Sequence, residues 1–403
     1  MSDVRPFRGL RPRDELAGRI IAPPYDTVSE AEARALTADN PTSFLRVTRS
    51  EVDLPPGVDP HGPEAYRMAR RNLDGFVERG WLQREERPAF YLYSQTWRGR
   101  TQTGLMGAFS LEEYDDGRIK KHELTRPDKE QDRVDHIEAT DTQTGLVFLA
   151  WRDRYPRLKA ARARAAALAP AWEAVTDDGV VHGLTVVDDP ELVAELQAAF
   201  REVDALYVAD GHHRSAAASR VSALRGGQGE AGWFLAGIFP DSQLQCLAYN
   251  RLVRDLRGHS PHDLLQAIGA HYDVAPTADP TPAARGITTM YLDGAWYTLT
   301  AKQVPDDPVA SLDVSMLQDR VLGPLLGIDN PRTDPRISFV GGVRGPAALQ
   351  AAVESGAAAI AFHLYPTGLD QLFSVADMGQ LMPPKSTWFE PKLRGGVLVH
   401  KLD

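Results

Sequence analysis

The densest group of chemistry-bearing side chains in this sequence is Asp210-Gly211-His212-His213-Arg214. The apolar run Ala205-Leu206-Tyr207-Val208 before it reads as a buried strand that stops at Asp-Gly. Ser215-Ala216-Ala217-Ala218-Ser219-Arg220 after it favours a helix, which therefore starts near His212. A strand, a glycine turn and a helix N-terminus form a receptor for anions, because unbonded N–H groups and the helix dipole both favour negative charge. Gly211 lets the backbone approach a ligand closely. His212, His213 and Arg214 add donors, and an arginine can grip a phosphate through two parallel hydrogen bonds. Asp210 is the exception, an acid where the anion should sit. It suits a ligand to a divalent metal on that phosphate, or a carboxylate that orients one histidine. The plainer alternative is an Asx-type cap on a surface helix with two half-exposed histidines.

Other stretches could contribute. Lys129 and Arg133 lie one helical turn apart, close in sequence to His122 and Arg126. Like charges at that spacing do not pair, so the cluster is expected either as an anion-facing wall or as ordinary surface. Ala22-Pro23-Pro24-Tyr25-Asp26 is stiff, since proline fixes φ and restrains the residue before it. It either positions a ligand through Tyr25 or Asp26 or is structural. Lys385, Ser386 and Thr387 follow a double proline in what reads as an exposed tail. They offer a phosphate contact, with Trp388 and Phe389 packing on a base or on the core; the alternative is a strand edge pinned by its aromatics. Asn250 or Arg251 would lie where a strand leaves the central sheet.

The elements that must position these groups alternate between strand and helix. Gly18–Ile21 and Phe44–Val47 read as short strands, and Ser29 with Glu32 as a capping box opening a helix. Ala65, Met68, Ala69, Leu73 and Phe76 mark an amphipathic helix over 64–79. Two long strands over 90–97 and 103–114 turn at Arg98-Gly99-Arg100. Pro127 is suited to the first position of a charged helix. A strand over 144–151, a solvated Ala/Arg-rich helix over 157–168, a hairpin over 172–187 and a helix over 190–203 lead into the central strand. Strands over 233–239 and 245–251 follow. The last third reads as a hairpin over 287–300 turning at Asp293-Gly294, then strands over 337–340 and 359–363 around a helix. The expected class is α/β (α+β) with mixed sheets, in regions 1–87, 88–257 and 258–403. No internal repeat and no Walker-type Gly-x-x-x-x-Gly-Lys-Ser/Thr loop is present.

Composition narrows the function. The 403 residues are 43% hydrophobic and 25% charged, as expected of a soluble globular chain. The net charge of −10 opposes a nucleic-acid surface, which needs clustered Lys and Arg. Cys246 is the sole cysteine, which excludes an intramolecular disulfide and a cysteine-rich metal site and fits a reducing cytoplasm. Neither an apolar signal region nor a stretch long enough to span a bilayer is evident, so no membrane association is expected.

Asp-Gly-His-His-Arg at 210–214 resembles the phosphate-binding box of the ParB/sulfiredoxin superfamily, and within it that of the free-serine kinases (SerK). The wider chain resembles a large prokaryotic family linked to those kinases. The stretches that carry this are 22–26, Lys121-His122-Glu123-Leu124-Thr125-Arg126, the histidine turn and Met382-Pro383-Pro384-Lys385-Ser386-Thr387-Trp388-Phe389. The resemblance implies a ParB/sulfiredoxin-like nucleotide-binding core over 88–257. It implies transfer of a phosphoryl group from ATP or ADP, with Mg²⁺, to free L-serine. Glu123 matches the catalytic base of these kinases, and a positioned carboxylate is a reasonable acceptor for a hydroxyl proton. Gly211, His212, His213 and Arg214 would hold the phosphates with Arg126 and Lys385, while Asp210 would bind the metal and act with His212 in catalysis. Two other readings stand beside it: a nucleotide-sensing protein without phosphotransfer, and a ParB-like DNA adaptor, which the charge disfavours. Sulfiredoxin chemistry needs a cysteine in this turn, and the turn has none.

Overall fold

A computed structural model describes residues 2–403, a mixed α/β chain with several sheets. The described residues group into two compact units. The first comprises residues up to Lys121, Thr125–Leu244 and Pro391–Asp403; the second comprises His122–Leu124 and Gln245–Glu390. The N-terminal 87 residues thus pack in one unit with the central sheet, and the final thirteen positions rejoin it, where the sequence suggested three consecutive regions.

The first unit is built on a nine-stranded sheet of β1 (Val4–Arg5), β2 (Phe90–Trp97), β3 (Arg100–Ser110), β4 (Ile119–Lys120), β5 (Val147–Trp151), β6 (Trp172–Val175), β7 (Val181–Val187), β8 (Leu206–Asp210) and β9 (Trp233–Pro240). Its order is β4-β8-β5-β9-β3-β2-β7-β6, with β1 added along β3. Pairs β8/β4 and β9/β5 are parallel and the remainder antiparallel. Strands β5, β8 and β9 are nearly unbroken apolar runs because both of their faces are covered. Helices α1 (Pro63–Glu78), α2 (Pro127–Thr140), α3 (Pro156–Ala166), α4 (Pro190–Phe200) and α5 (His212–Leu224) belong to the same unit, and the first four each take proline in their first turn. The β2–β3 hairpin closes through Arg98 (φ 50°) and Gly99 (φ 76°), the left-handed pair that a two-residue turn requires. Gly104 makes room on β3 for its neighbour, since a Cβ there would lie 2.4 Å from the Phe239 ring.

Several expected elements differ. Gly18–Ile21 and Phe44–Val47 are not strands: the chain is helical over Ala17–Ile20 and Leu45–Thr48. Four-residue apolar runs carry no period that separates strand from helix, and burial of Phe44, Leu45 and Val47 against Phe76 decides the matter. The helix α3 is not only a solvated cover, because Leu158, Ala161, Arg162 and Ala165 are buried. The capping box at Ser29 and Glu32 forms as read.

The second unit carries a six-stranded antiparallel sheet of β10 (Tyr249–Val253), β11 (Tyr272–Pro276), β12 (Ile287–Leu292), β13 (Ala295–Ala301), β14 (Ile337–Gly341) and β15 (Ile360–His363), ordered β11-β13-β12-β15-β10-β14. The β12–β13 hairpin turns at Asp293 (φ 49°) and Gly294 (φ 78°). Residues 385–393 are not an exposed tail throughout. Trp388–Glu390 pairs with Gln245–Leu247, and Phe389 is buried. No described helix is long and apolar enough to cross a membrane.

Two buried histidines in the first unit set its response to acid. His136 on α2 hydrogen-bonds the Val47 carbonyl at 3.0 Å, and burial, reinforced by nearby Arg133, pushes its pKa down to about 4. His182 on β7 lies 2.7 Å from the Tyr93 hydroxyl and is pushed down to about 3 by burial and Arg394. Both bind protons more readily unfolded than folded, so stability is full above about pH 6.5 and falls as pH drops toward 4. Thermal melts from pH 7.5 to 4 should show this decline. His136→Gln, which retains a donor without a titrating ring, should flatten it; an unchanged slope would assign the acid sensitivity to other groups.

Candidate anion-binding site

Strand β8 delivers Asp210, Gly211 turns the chain with φ 94°, and α5 begins at His212. No described side chain caps this helix. The Gly211 carbonyl accepts from the amides of Arg214 and Ser215 at 2.9 and 3.0 Å, while the Gly211 amide donates to Asp210 Oδ1 at 2.9 Å. Three features expected from the sequence are therefore present: the strand, the glycine turn and the helix.

The half-buried Asp210 carboxylate faces cations. Lys392 Nζ lies 3.3 Å and Arg214 Nη2 3.8 Å from its Oδ2. Burial alone would raise this carboxyl, but Lys392 and then Arg214 outweigh it and hold it well below the usual carboxylate range. A divalent ion at Asp210 would have to compete with Lys392 for the same oxygen.

The remaining residues divide between the units. His212 is buried, and His213 Nε2 accepts the backbone N–H of Arg126 at 3.0 Å, which assigns the ring proton to Nδ1. The Arg126 guanidinium is exposed and pairs with Asp128 at 2.8 Å. Glu123 is half-buried and belongs to the second unit, where the His122 carbonyl accepts from the Met382 amide at 2.8 Å. Lys385 belongs there too, exposed, in the left-handed region with φ 59°. Its carbonyl accepts from Arg251 at 3.0 Å, and Arg251 is a buried arginine pushed down to about 10 by burial.

Arg214 does not extend outward from the turn. Its guanidinium folds across Gly211, where a Cβ would meet its carbon at 3.1 Å, and Nη1 donates to the Leu146 carbonyl. There it borders a cavity of about 40 Å³ within the first unit, lined also by Tyr25, Arg133, His136, Gln143 and Arg394. Arg133 is not part of a solvated face; it is buried, and its Nε and Nη2 bond Asp132 at 2.9 and 2.6 Å. Its guanidinium stacks on the Tyr25 ring at 3.9 Å. The stiff Pro23-Pro24 segment thus does place Tyr25 against a cation. Lys392 and Arg394 were not singled out from the sequence. The available sign was Gly395-Gly396 before the apolar Val397-Leu398-Val399, a buried run that returns the chain to the first unit.

The family described as "Protein of unknown function (DUF1015)" matches residues 4–315. No protein of curated function matches the chain. Among solved structures, "SbnI with C-terminal truncation from Staphylococcus aureus" is similar at 10% identity and a TM-score of 0.41, covering 72% of this chain and 85% of that one. "Free serine kinase in complex with AMP" is similar at 9% identity and a TM-score of 0.37, covering 71% and 86%. A conserved hypothetical protein from Pyrococcus furiosus is similar at 12% identity and a TM-score of 0.36, covering 71% and 90%.

The turn's conformation is itself testable. Alanine in place of Gly211 must hold φ near 94° and crowd the Arg214 guanidinium. Gly211→Ala should lower unfolding free energy by about 1–2 kcal/mol, the cost of a left-handed non-glycine residue. Urea denaturation measures it, and a neutral result would mean that the turn relaxes.

Proposed function

This chain belongs to the DUF1015 family, and we propose that it is a small-molecule kinase whose turn at 210–214 receives nucleotide phosphates. The observation that carries the reading is the uncapped start of α5 behind a left-handed glycine. Backbone amides and the helix dipole there favour an anion without any further side chain. The motif resemblance at 121–126, 210–214 and 382–389 supplies the reaction class: ATP or ADP as donor and the hydroxyl of free L-serine as acceptor.

The substrate form of such a nucleotide is its Mg²⁺ complex, and magnesium commonly takes one or two protein carboxylates and otherwise phosphate and water oxygens. Asp210 is the oxygen ligand the turn could offer, with Lys392 released to the phosphates. In the transfer, Glu123 accepts the serine hydroxyl proton, and the serine oxygen forms a bond to the terminal phosphorus. The bond from that phosphorus to the nucleotide's bridging oxygen breaks, leaving the shortened nucleotide with its electron pair. Positioning and charge neutralisation provide most of the acceleration in such a step. The acid-base contribution is about 10²–10⁴-fold.

Glu123→Gln keeps the size and removes the basicity. It should bind nucleotide as tightly as the native protein, by calorimetry, while single-turnover formation of labelled phosphoserine falls by about 10²–10⁴-fold. A near-native single-turnover rate would move the base elsewhere. Excess chelator should abolish turnover and added Mg²⁺ restore it. Nucleotide binding without phosphoserine formation in the native protein would leave a nucleotide-sensing role in place of the kinase.

A further inference from the structure

The cavity behind the turn has a composition that the nucleotide reading does not use. Arg133, Arg214 and Arg394 line it, and no acidic residue is among its lining residues. Their acidic partners, Asp132, Asp210 and Asp178, lie outside the lining. Arg133 commits Nε and Nη2 to Asp132, and its Nη1 hydrogen-bonds no described residue. Its side chain is 10% exposed. The Tyr25 hydroxyl also has no hydrogen-bond partner among the described residues. Burial pushes its pKa up to about 12, which leaves the phenol a proton donor at neutral pH. Neither donor is paired within the described protein, so a ligand in the cavity would complete both.

The remaining walls are largely apolar, with Leu146, Phe234 and Leu393 among them. An anion entering such a space must be small and must take its compensation from the arginines. At about 40 Å³ the cavity exceeds the roughly 10–15 Å³ that one water needs, yet it is too small for a nucleobase. A planar guanidinium edge facing a small cavity matches a carboxylate better than it matches a bulky group.

We infer that this cavity is a subsite for a small carboxylate, held by Arg133 with the Tyr25 hydroxyl, and that it takes the α-carboxylate of the acceptor amino acid. The second half of that statement rests on the kinase reading; binding of a small carboxylate does not. In this arrangement the turn and the cavity divide the labour. The turn meets phosphate, and buried arginine meets carboxylate. Arg214, between them, lies at the border of both.

The test is calorimetric titration of the full chain with acetate, L-serine, L-serinamide and inorganic phosphate. Acetate and L-serine should bind, and L-serinamide, which has the same hydroxyl without the carboxylate, should not. Arg133→Lys keeps a charge beside Asp132 but loses the fork, and should weaken serine binding about tenfold or more. Tyr25→Phe removes one hydroxyl from a folded protein and should weaken it by a smaller factor; it serves where Arg133→Lys fails to fold. Equal binding of serine and serinamide, binding of phosphate alone, no binding of either carboxylate, or native affinity in both variants would each overturn the assignment. Carboxylate binding in a protein that turns over no nucleotide would retain the subsite and reject the kinase reading, so the two failures are distinguishable.

Discussion

The Asp210 carboxylate and the Lys392 ammonium join residues 182 positions apart, and the site depends on that join. An acid at the end of β8 would repel an anion at the turn. Lys392 cancels that repulsion only because the chain returns to the first unit after Pro391. The return is fastened by the central hairpin: Gln95 Nε2 donates to the Lys392 carbonyl at 2.9 Å, and Gln102 Nε2 to the Pro391 carbonyl at 3.3 Å. Gln95 and Gln102 are both buried, so these bonds satisfy side chains that would otherwise be stranded in the sheet. Removing the cation while keeping the acid would leave a half-buried charge with only the longer Arg214 contact, the costlier way to break such a pair.

The same return brings Arg394 to the cavity, two residues beyond Lys392. Its partner Asp178 lies in the turn between β6 and β7. Each arginine lining the cavity is thus paired with a carboxylate outside it, on Asp132, Asp178 or Asp210. Such an arrangement fixes planar donors in advance, so a ligand need not order flexible side chains when it binds. It also explains the neutral His136 beside Arg133. Burial and the adjacent guanidinium both oppose a second positive charge there.

Local features of the sequence were legible where a few adjacent residues decide them. The apolar run into Asp210-Gly211, the alanines after Arg214, the capping box at Ser29 and the glycine-containing hairpin turns at 98–100 and 293–294 all form as read. The partners of the site residues were not legible, because they come from contacts far apart in sequence. Nothing near Lys392 announces Asp210, and nothing near Arg133 announces Tyr25, 108 positions earlier. The charged run 127–136 read either as an anion-facing wall or as ordinary surface. It fails as ordinary surface because Asp132 and Arg133 pair with each other, and Asp132 also meets Tyr66 and His61 at 2.9 and 2.7 Å, which lets both charges be buried. The short apolar runs at 18–21 and 44–47 were undecidable by period and were settled by which face the core covers.

The orientation of Arg214 changes what the motif can mean. In the sequence, an arginine three residues after the glycine reads as one more phosphate donor. In the structure its Nη1 is committed to the Leu146 carbonyl and its Nη2 faces Asp210, so its charge is spent on the floor of the turn. In the proposed reading, anion binding at the turn would rest on backbone N–H groups and the α5 dipole, which do not depend on a side-chain rotamer. An arginine in this position acts by holding the strand β5 entry, through Leu146, against the helix start. A donor set made of backbone has a further consequence: it accepts any phosphate of suitable size and cannot by itself choose the acceptor. In the proposed kinase, selection of the acceptor would come from side chains with fixed geometry, such as the arginines around the cavity.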